Sequence, residues 1–308
     1  MYIIQDKNDP QKYFSLIDNE KRGGNGMSYE LKEGSLNGVD NITLHYKSWD
    51  VEPKKGCVVI AHGVGEHSGR YNNLINYMDG CQVAFYAPDH RGHGRSGGSR
   101  GHINSFNEYV NDLKTFIDMV RRLNPSQPII LLGHSMGGVI ACHFALTYPQ
   151  DIDGLILSSA GLKPGVDIPV WKSLMGKLLS RVFPEFSMPS GLDASLLSHD
   201  SQVVSDYLSD PLNHDLVSAR WFTEFMRAGE QGLNRAAELS MPLLIIHGAQ
   251  DQIVDPQGSR ILYDQAASSD KTLQIFEGLY HETMNEAPDD SKMVIKTVAD
   301  WITKQFEK

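Results

Sequence analysis

Ser135 is the residue of this chain best placed for covalent chemistry. It lies in Gly133-His134-Ser135-Met136-Gly137, a G-x-S-x-G pattern that follows the apolar run Ile129–Leu132 and precedes the helical stretch Val139–Thr147. A strand–turn–helix of this kind lifts a serine above a sheet, and glycines flank it because side chains there would meet neighbouring backbone. The positive end of the following helix then points to where an oxyanion would develop. G-x-S-x-G alone arises by chance; between an apolar strand and a helix it is a specific sign of a nucleophile for acyl transfer.

A serine hydroxyl is a weak nucleophile and needs a base oriented by a third group. On such a scaffold the acid and then the histidine follow the serine along the chain. Of twelve histidines, only His199, His214, His247 and His281 come after Ser135. His281 follows the strand-like Thr272–Phe276 and precedes the last helical segment, so it is the expected general base and acid. His199 and His214 fall in a long insertion, and His247 ends a strand, where packing is the simpler role. Asp251 lies on the loop after Leu243–Ile246 and is the expected orienting acid, with Asp255 as runner-up. The oxyanion needs two amide donors. One is expected from Met136, directly after the nucleophile, and the other from Val64, in the loop that Val58–Ala61 runs into.

These residues must be held by the elements around them. Cys57–Ala61, Val83–Ala87, Ile129–Leu132, Leu155–Leu157 and Leu243–Ile246 are continuous apolar runs, as expected of parallel strands buried on both faces. Helical patterns separate them. Ser105-Phe106-Asn107-Glu108 reads as a capping box opening a helix that Pro125 stops, and Asp289–Phe306 reads as a closing helix. The alternation predicts an α/β fold with a mostly parallel, doubly wound sheet. It breaks over 162–239, a mostly helical stretch too long for a simple crossover. The expected organisation is a polar, flexible tail at 1–26, a core formed by 27–161 and 240–308, and a cap inserted at 162–239.

Composition limits the partners. The chain has 308 residues, 41% of them hydrophobic and 21% charged, enough for a substantial core in a globular protein. A formal net charge of −10 argues against nucleic acid and against adhesion to anionic lipid by charge alone. Cys57, Cys81 and Cys142 fit no metal or disulfide spacing and are expected to be free thiols. His90 and His93 have a metal-like spacing, but Asp89–Ser96 reads better as a tight turn that braces the site. No metal or organic cofactor is expected. The start of the chain lacks a basic and apolar leader, and no 18-residue apolar run occurs, so a cytoplasmic protein is the expectation.

Two further blocks carry a resemblance. His62-Gly63-Val64-Gly65-Glu66-His67-Ser68-Gly69-Arg70-Tyr71 and Asp89-His90-Arg91-Gly92-His93-Gly94-Arg95-Ser96, with Gly133–Gly138 and Tyr280-His281-Glu282, resemble the signatures of the monoacylglycerol lipases and related lysophospholipases. The resemblance runs from about Met27 to the C-terminus. It implies an α/β-hydrolase fold with a mobile, lipid-facing cap. It carries the catalytic triad onto Ser135, Asp251 and His281, and the oxyanion amides onto Val64 and Met136. It also implies that Glu66 and Arg70 form the polar, substrate-binding end of the pocket; without it, the two could equally be a structural ion pair. One position departs from the pattern. Animal monoacylglycerol lipases carry a second histidine three residues after the triad histidine, and this chain has Met284.

In the insertion, Trp171, Leu174, Met175, Leu178, Leu179, Val182 and Phe183 fall on one helical stripe. The stripe either packs on the body and roofs the pocket or stays partly exposed and rests on a membrane. An apolar roof and a polar pocket end suit a lipid ester with one acyl chain, hence cleavage of monoacylglycerol to fatty acid and glycerol through an acyl-enzyme. The alternatives are a lysophospholipase or short-chain carboxylesterase of the same fold, or a catalytically inactive fold used for binding.

Overall fold

The structure, a computed structural model, describes residues 29–165 and 170–308, and the side chains of all of these except 170–173. The tail at 1–26 and the side chain of Trp171 lie outside the described residues.

The sheet is built from β1 (Glu30–Asn37), β2 (Thr43–Asp50), β3 (Gly56–Ala61), β4 (Val83–Pro88), β5 (Ile129–His134), β6 (Gly154–Ser158), and then, after β7 (Ser187–Pro189) and β8 (Leu216–Ser218) of the insertion, β9 (Leu243–Gly248) and β10 (Lys271–Phe276). Its order is β1-β2-β4-β3-β5-β6-β9-β10. All neighbours from β4 to β10 run parallel; β1 and β2 form an antiparallel edge beside β4. The expected apolar runs are the parallel strands, each extended by one or two residues at its ends.

Their continuous apolarity follows from burial on both faces. Val58, Ile60, Ile130, Leu132, Leu244 and Ile246 point to one core layer, packed under α1 (Asn72–Tyr77) and α8 (Pro288–Phe306). Val59, Ala61, Ile129, Leu131, Leu243 and Ile245 point to the other, under α2 (Asn107–Leu123) and α3 (Met136–Thr147). Alternation along each strand therefore fills two cores. Each fully buried aliphatic side chain contributes about 1.5–3 kcal/mol, so the sheet is a rigid base for the loops at its carboxyl edge.

The capping box does not form as expected. The α2 helix begins at Asn107, with Phe106 in the capping position and no side-chain cap. Ser105 Oγ meets only the Asn107 amide, at 3.4 Å, and Glu108 is drawn to the Arg91 guanidinium at 2.7 Å. Pairing with a full positive charge outcompetes the carboxylate's reach back to the Ser105 amide.

Between β6 and β9 the chain leaves the sheet for α4 (Val170–Val182), β7, α5 (Ser201–Ser209), β8, which pairs antiparallel with β7, and α6 (Ala219–Asn234); α7 (Gln257–Gln265) follows β9. The α4 helix sits on α6 through small and polar residues. Ser180 Oγ lies 2.8 Å from Thr223 Oγ1, Arg220 donates to Ser180, and Gly176 faces Phe222. Leu174, Met175, Leu178, Val182 and Phe183 consequently point to solvent, 53–62% exposed, while Leu179 is half-buried. Of the two arrangements open for this stripe, the exposed one is seen: close approach through Gly176 and Ser180 turns the apolar face outward. Phe186 and Met188, which follow α4 in the chain, are also exposed.

Candidate active site

Ser135 joins β5 to α3 with φ 53° and ψ −117°. This conformation is sparsely populated for a residue with a side chain and stores about 1–3 kcal/mol of strain. Packing enforces it: the Ser135 amide donates to Ser158 O at 3.0 Å, and the Ser135 carbonyl accepts from Gly138 and Gly161. A Cβ on Gly137 would collide with the Ala61 carbonyl, and one on Gly133 with the Gly137 carbonyl. Only glycine allows β3, β5 and α3 to meet this closely.

The loop after β10 brings His281 over the serine. His281 Nε2 lies 2.9 Å from Ser135 Oγ, and His281 Nδ1 lies 2.7 Å from Asp251 Oδ2. An ionised carboxylate only accepts, so Nδ1 carries the proton and Nε2 presents its lone pair to the hydroxyl. All three side chains are buried. Burial pushes the Asp251 carboxyl up, but the His281 ring and the donors around it outweigh this and hold the acid well below the usual carboxylate range. Burial disfavours a charged His281, yet Asp251 raises its affinity for a proton above that of an ordinary imidazole. Asp255 instead pairs with Lys163 Nζ at 2.6 Å and caps α7 at the Gln257 amide.

His247 has a role that its sequence position hid. It is fully buried and donates from Nε2 to the same Asp251 Oδ2 at 3.0 Å, while its Nδ1 lies 2.7 Å from Ser259 Oγ. The amides of Ile253 and Val254 satisfy Asp251 Oδ1 at 2.8 and 2.9 Å. Asp251 is therefore fixed by four donors. The signal was the spacing of His247 and Asp251, four residues apart across a tight turn after β9.

The second donor loop lies beside the serine. A Cβ on Gly63 would be 3.3 Å from Ser135 Cβ. Among the described residues, the amides of Val64 and Met136 have no hydrogen-bond acceptor, whereas the Gly63 amide, one residue before Val64, donates to Glu66 Oε1 at 2.5 Å. The Asp89–Ser96 turn braces this loop: the His90 amide donates to His62 Nε2 at 2.8 Å, and Asp89 accepts from the amides of Ser68 and Arg95.

Glu66 and Arg70 are ion-paired, with Arg70 Nη1 3.0 Å from Glu66 Oε2. Arg70 also forks onto Glu282 at 2.5 and 2.9 Å, and Tyr71 OH donates to Glu66 Oε1 at 2.8 Å. The Arg70 guanidinium lies over the ring of Tyr207 on α5. Burial opposes the charge on Glu66, but Arg70 beside it holds the carboxyl well below the usual carboxylate range. The cavity here, bounded by Glu66, Arg70, His134, Glu282 and Met284, measures about 10 Å³, room for one water. Glu66 and Arg70 are thus paired with each other, and Met284, in place of a second histidine, packs in the apolar core.

A strained serine turn at the carboxyl edge of a mostly parallel sheet, backed in chain order by an acid and a histidine, defines the serine hydrolases of the α/β-hydrolase fold. The family described as Serine aminopeptidase, S33 matches residues 52–288. The chain is 36% identical over 283 residues to a monoacylglycerol lipase of Mycolicibacterium smegmatis, covering 91% of this chain and all of that one. It is 33% identical to the Bacillus subtilis phospholipase YtpA, over 78% of this chain and 92% of that one. The crystal structure of Paleococcus ferrophilus monoacylglycerol lipase superposes with a TM-score of 0.79 at 33% identity, covering 85% of this chain and 99% of that one. The chain belongs to this hydrolase family, on the branch that includes the monoacylglycerol lipases.

Proposed function

We propose that this protein hydrolyses monoacylglycerols to fatty acid and glycerol through an acyl-enzyme on Ser135. The observation that carries the reading is the unbroken hydrogen-bonded chain Ser135–His281–Asp251, at 2.9 and 2.7 Å. His281 takes the hydroxyl proton as Ser135 Oγ attacks the ester carbonyl. The amides of Val64 and Met136 stabilise the oxyanion, each by about 3–4 kcal/mol in the transition state. His281 then protonates the departing glycerol oxygen. Water, deprotonated by His281, splits the acyl-serine and restores the hydroxyl.

Residues 162–239 act as the cap in this reading. The outward apolar face of α4 meets a lipid surface, so the protein docks peripherally and draws its single-chain substrate from there. Among the described residues, no helix is long and apolar enough to cross a membrane. A second reading, lysophospholipid hydrolysis, is favoured by the likeness to a phospholipase. Initial rates on 2-monoacylglycerol, lysophosphatidylcholine, chain-graded nitrophenyl esters and an aminoacyl nitroanilide separate these. The proposal expects the highest kcat/KM on monoacylglycerol. Preference for lysophosphatidylcholine selects the second reading; preference for acetyl esters or the anilide overturns both.

A further inference from the structure

We propose that Arg70 and Glu282 form a positioning clamp that fixes the separation between the oxyanion loop and the base. This rests on the reading of Ser135 and His281 as catalytic. Glu282 directly follows His281, and its carboxylate takes both arms of the Arg70 fork, Nη1 at 2.5 Å and Nη2 at 2.9 Å. The same Nη1 reaches Glu66 Oε2 at 3.0 Å, and Glu66 Oε1 holds the Gly63 amide one residue before Val64. One guanidinium thus bridges two loops that are 212 residues apart in the chain. Glu282 is itself pinned: its amide donates to Leu197 O at 2.8 Å, and Asn285 donates to its Oε2 at 3.0 Å.

The bridge is costly to bury. Glu66 and Glu282 are 3% and 4% exposed, and two carboxylates share one guanidinium. Buried ion clusters are weak sources of stability compared with apolar packing. What this cluster supplies is geometry, since a bidentate fork fixes angle as well as distance. It also supplies a net negative charge. His281 is faced by Asp251 from the β9 loop, His134 from β5, Glu66 from the β3 loop and Glu282 from its own loop, and both glutamates favour its protonated form. The imidazolium that forms during attack is therefore stabilised from a second side.

Two variants separate geometry from charge. Glu282→Gln keeps the shape and removes the charge; Glu282→Asp keeps the charge and draws the carboxylate back by one methylene. Folding is checked by thermal melting, and nitrophenyl butyrate hydrolysis is followed as kcat, KM and the acid limb of kcat/KM. Both variants are expected to lose at least about tenfold in kcat with KM changed by less than about twofold, the pattern of an interaction used in the transition state. Only Glu282→Gln should move the acid limb to lower pH. Should Glu282→Gln not fold, Glu282→Asp and Arg70→Lys, which keeps charge without the fork, carry the same kcat–KM split. A folded variant with wild-type kcat and limb overturns the clamp. Wild-type protein inert to esters and to a fluorophosphonate probe overturns the catalytic reading instead, and the clamp with it.

Discussion

The exposed face of α4 makes a quantitative prediction. Leu178 and Phe183 are 61% and 62% exposed. Full burial of such side chains is worth about 1.5–3 kcal/mol each, so burying the exposed part in lipid contributes about 1–2 kcal/mol apiece. Changing both to serine should weaken partitioning onto liposomes by about 2–4 kcal/mol, roughly 30- to 1000-fold. Neither side chain is needed to hold α4 to α6, which Ser180, Thr223 and Arg220 do. Stability should therefore stay within about 0.5 kcal/mol of wild type. Liposome flotation measures the first quantity; hydrolysis of a water-soluble nitrophenyl butyrate measures intact chemistry. Unchanged flotation would refute the lipid-docking argument. Loss of activity on the soluble ester would refute the assignment of these residues to the surface alone.

Four further outcomes follow from the site. His281 must be neutral to accept the serine proton, and Asp251 raises its proton affinity, so kcat/KM should fall as pH drops through a midpoint above the usual imidazole value. Asp251→Asn should lower kcat by about 10⁴-fold and move that midpoint down, read from a pH–rate profile. Relief of the φ 53° strain at Ser135 should make Ser135→Gly about 1 kcal/mol more stable than Ser135→Ala by urea denaturation, despite glycine's backbone entropy. Gly137→Ala forces a Cβ against the Ala61 carbonyl and should cost about 3 kcal/mol or more with loss of activity.

Much of this architecture is legible locally. Apolar runs mark the parallel strands because both faces are buried, and the serine elbow announces itself through its two glycines. The antiparallel edge was harder. The β1 strand, Glu30–Asn37, is polar and mostly half-exposed, and it is held by pairing with β2 rather than by its own pattern. The α4 stripe is readable by period, but its direction depends on which face offers close approach, here Gly176 and Ser180. In the site, Ser135, Asp251 and His281 are ordered by chain position on a known topology, and the structure brings them together. Glu282 escapes such reasoning because its partner, Arg70, is set by tertiary contact across the domain, whereas His247 pairs with Asp251 only four residues on and is masked by the packing role that a strand end suggests. Glu108 shows the converse, a local capping signal overridden by a distant guanidinium.

If this chain is a monoacylglycerol hydrolase, Ser135 is its nucleophile. Intact-mass analysis after a fluorophosphonate probe, paired with glycerol release from 2-monoacylglycerol, tests it most directly. Wild-type protein should carry one probe adduct, mapped to Ser135, and release glycerol, and folded Ser135→Ala should show neither adduct nor release. An adduct on another residue, or undiminished glycerol release by Ser135→Ala, would contradict it.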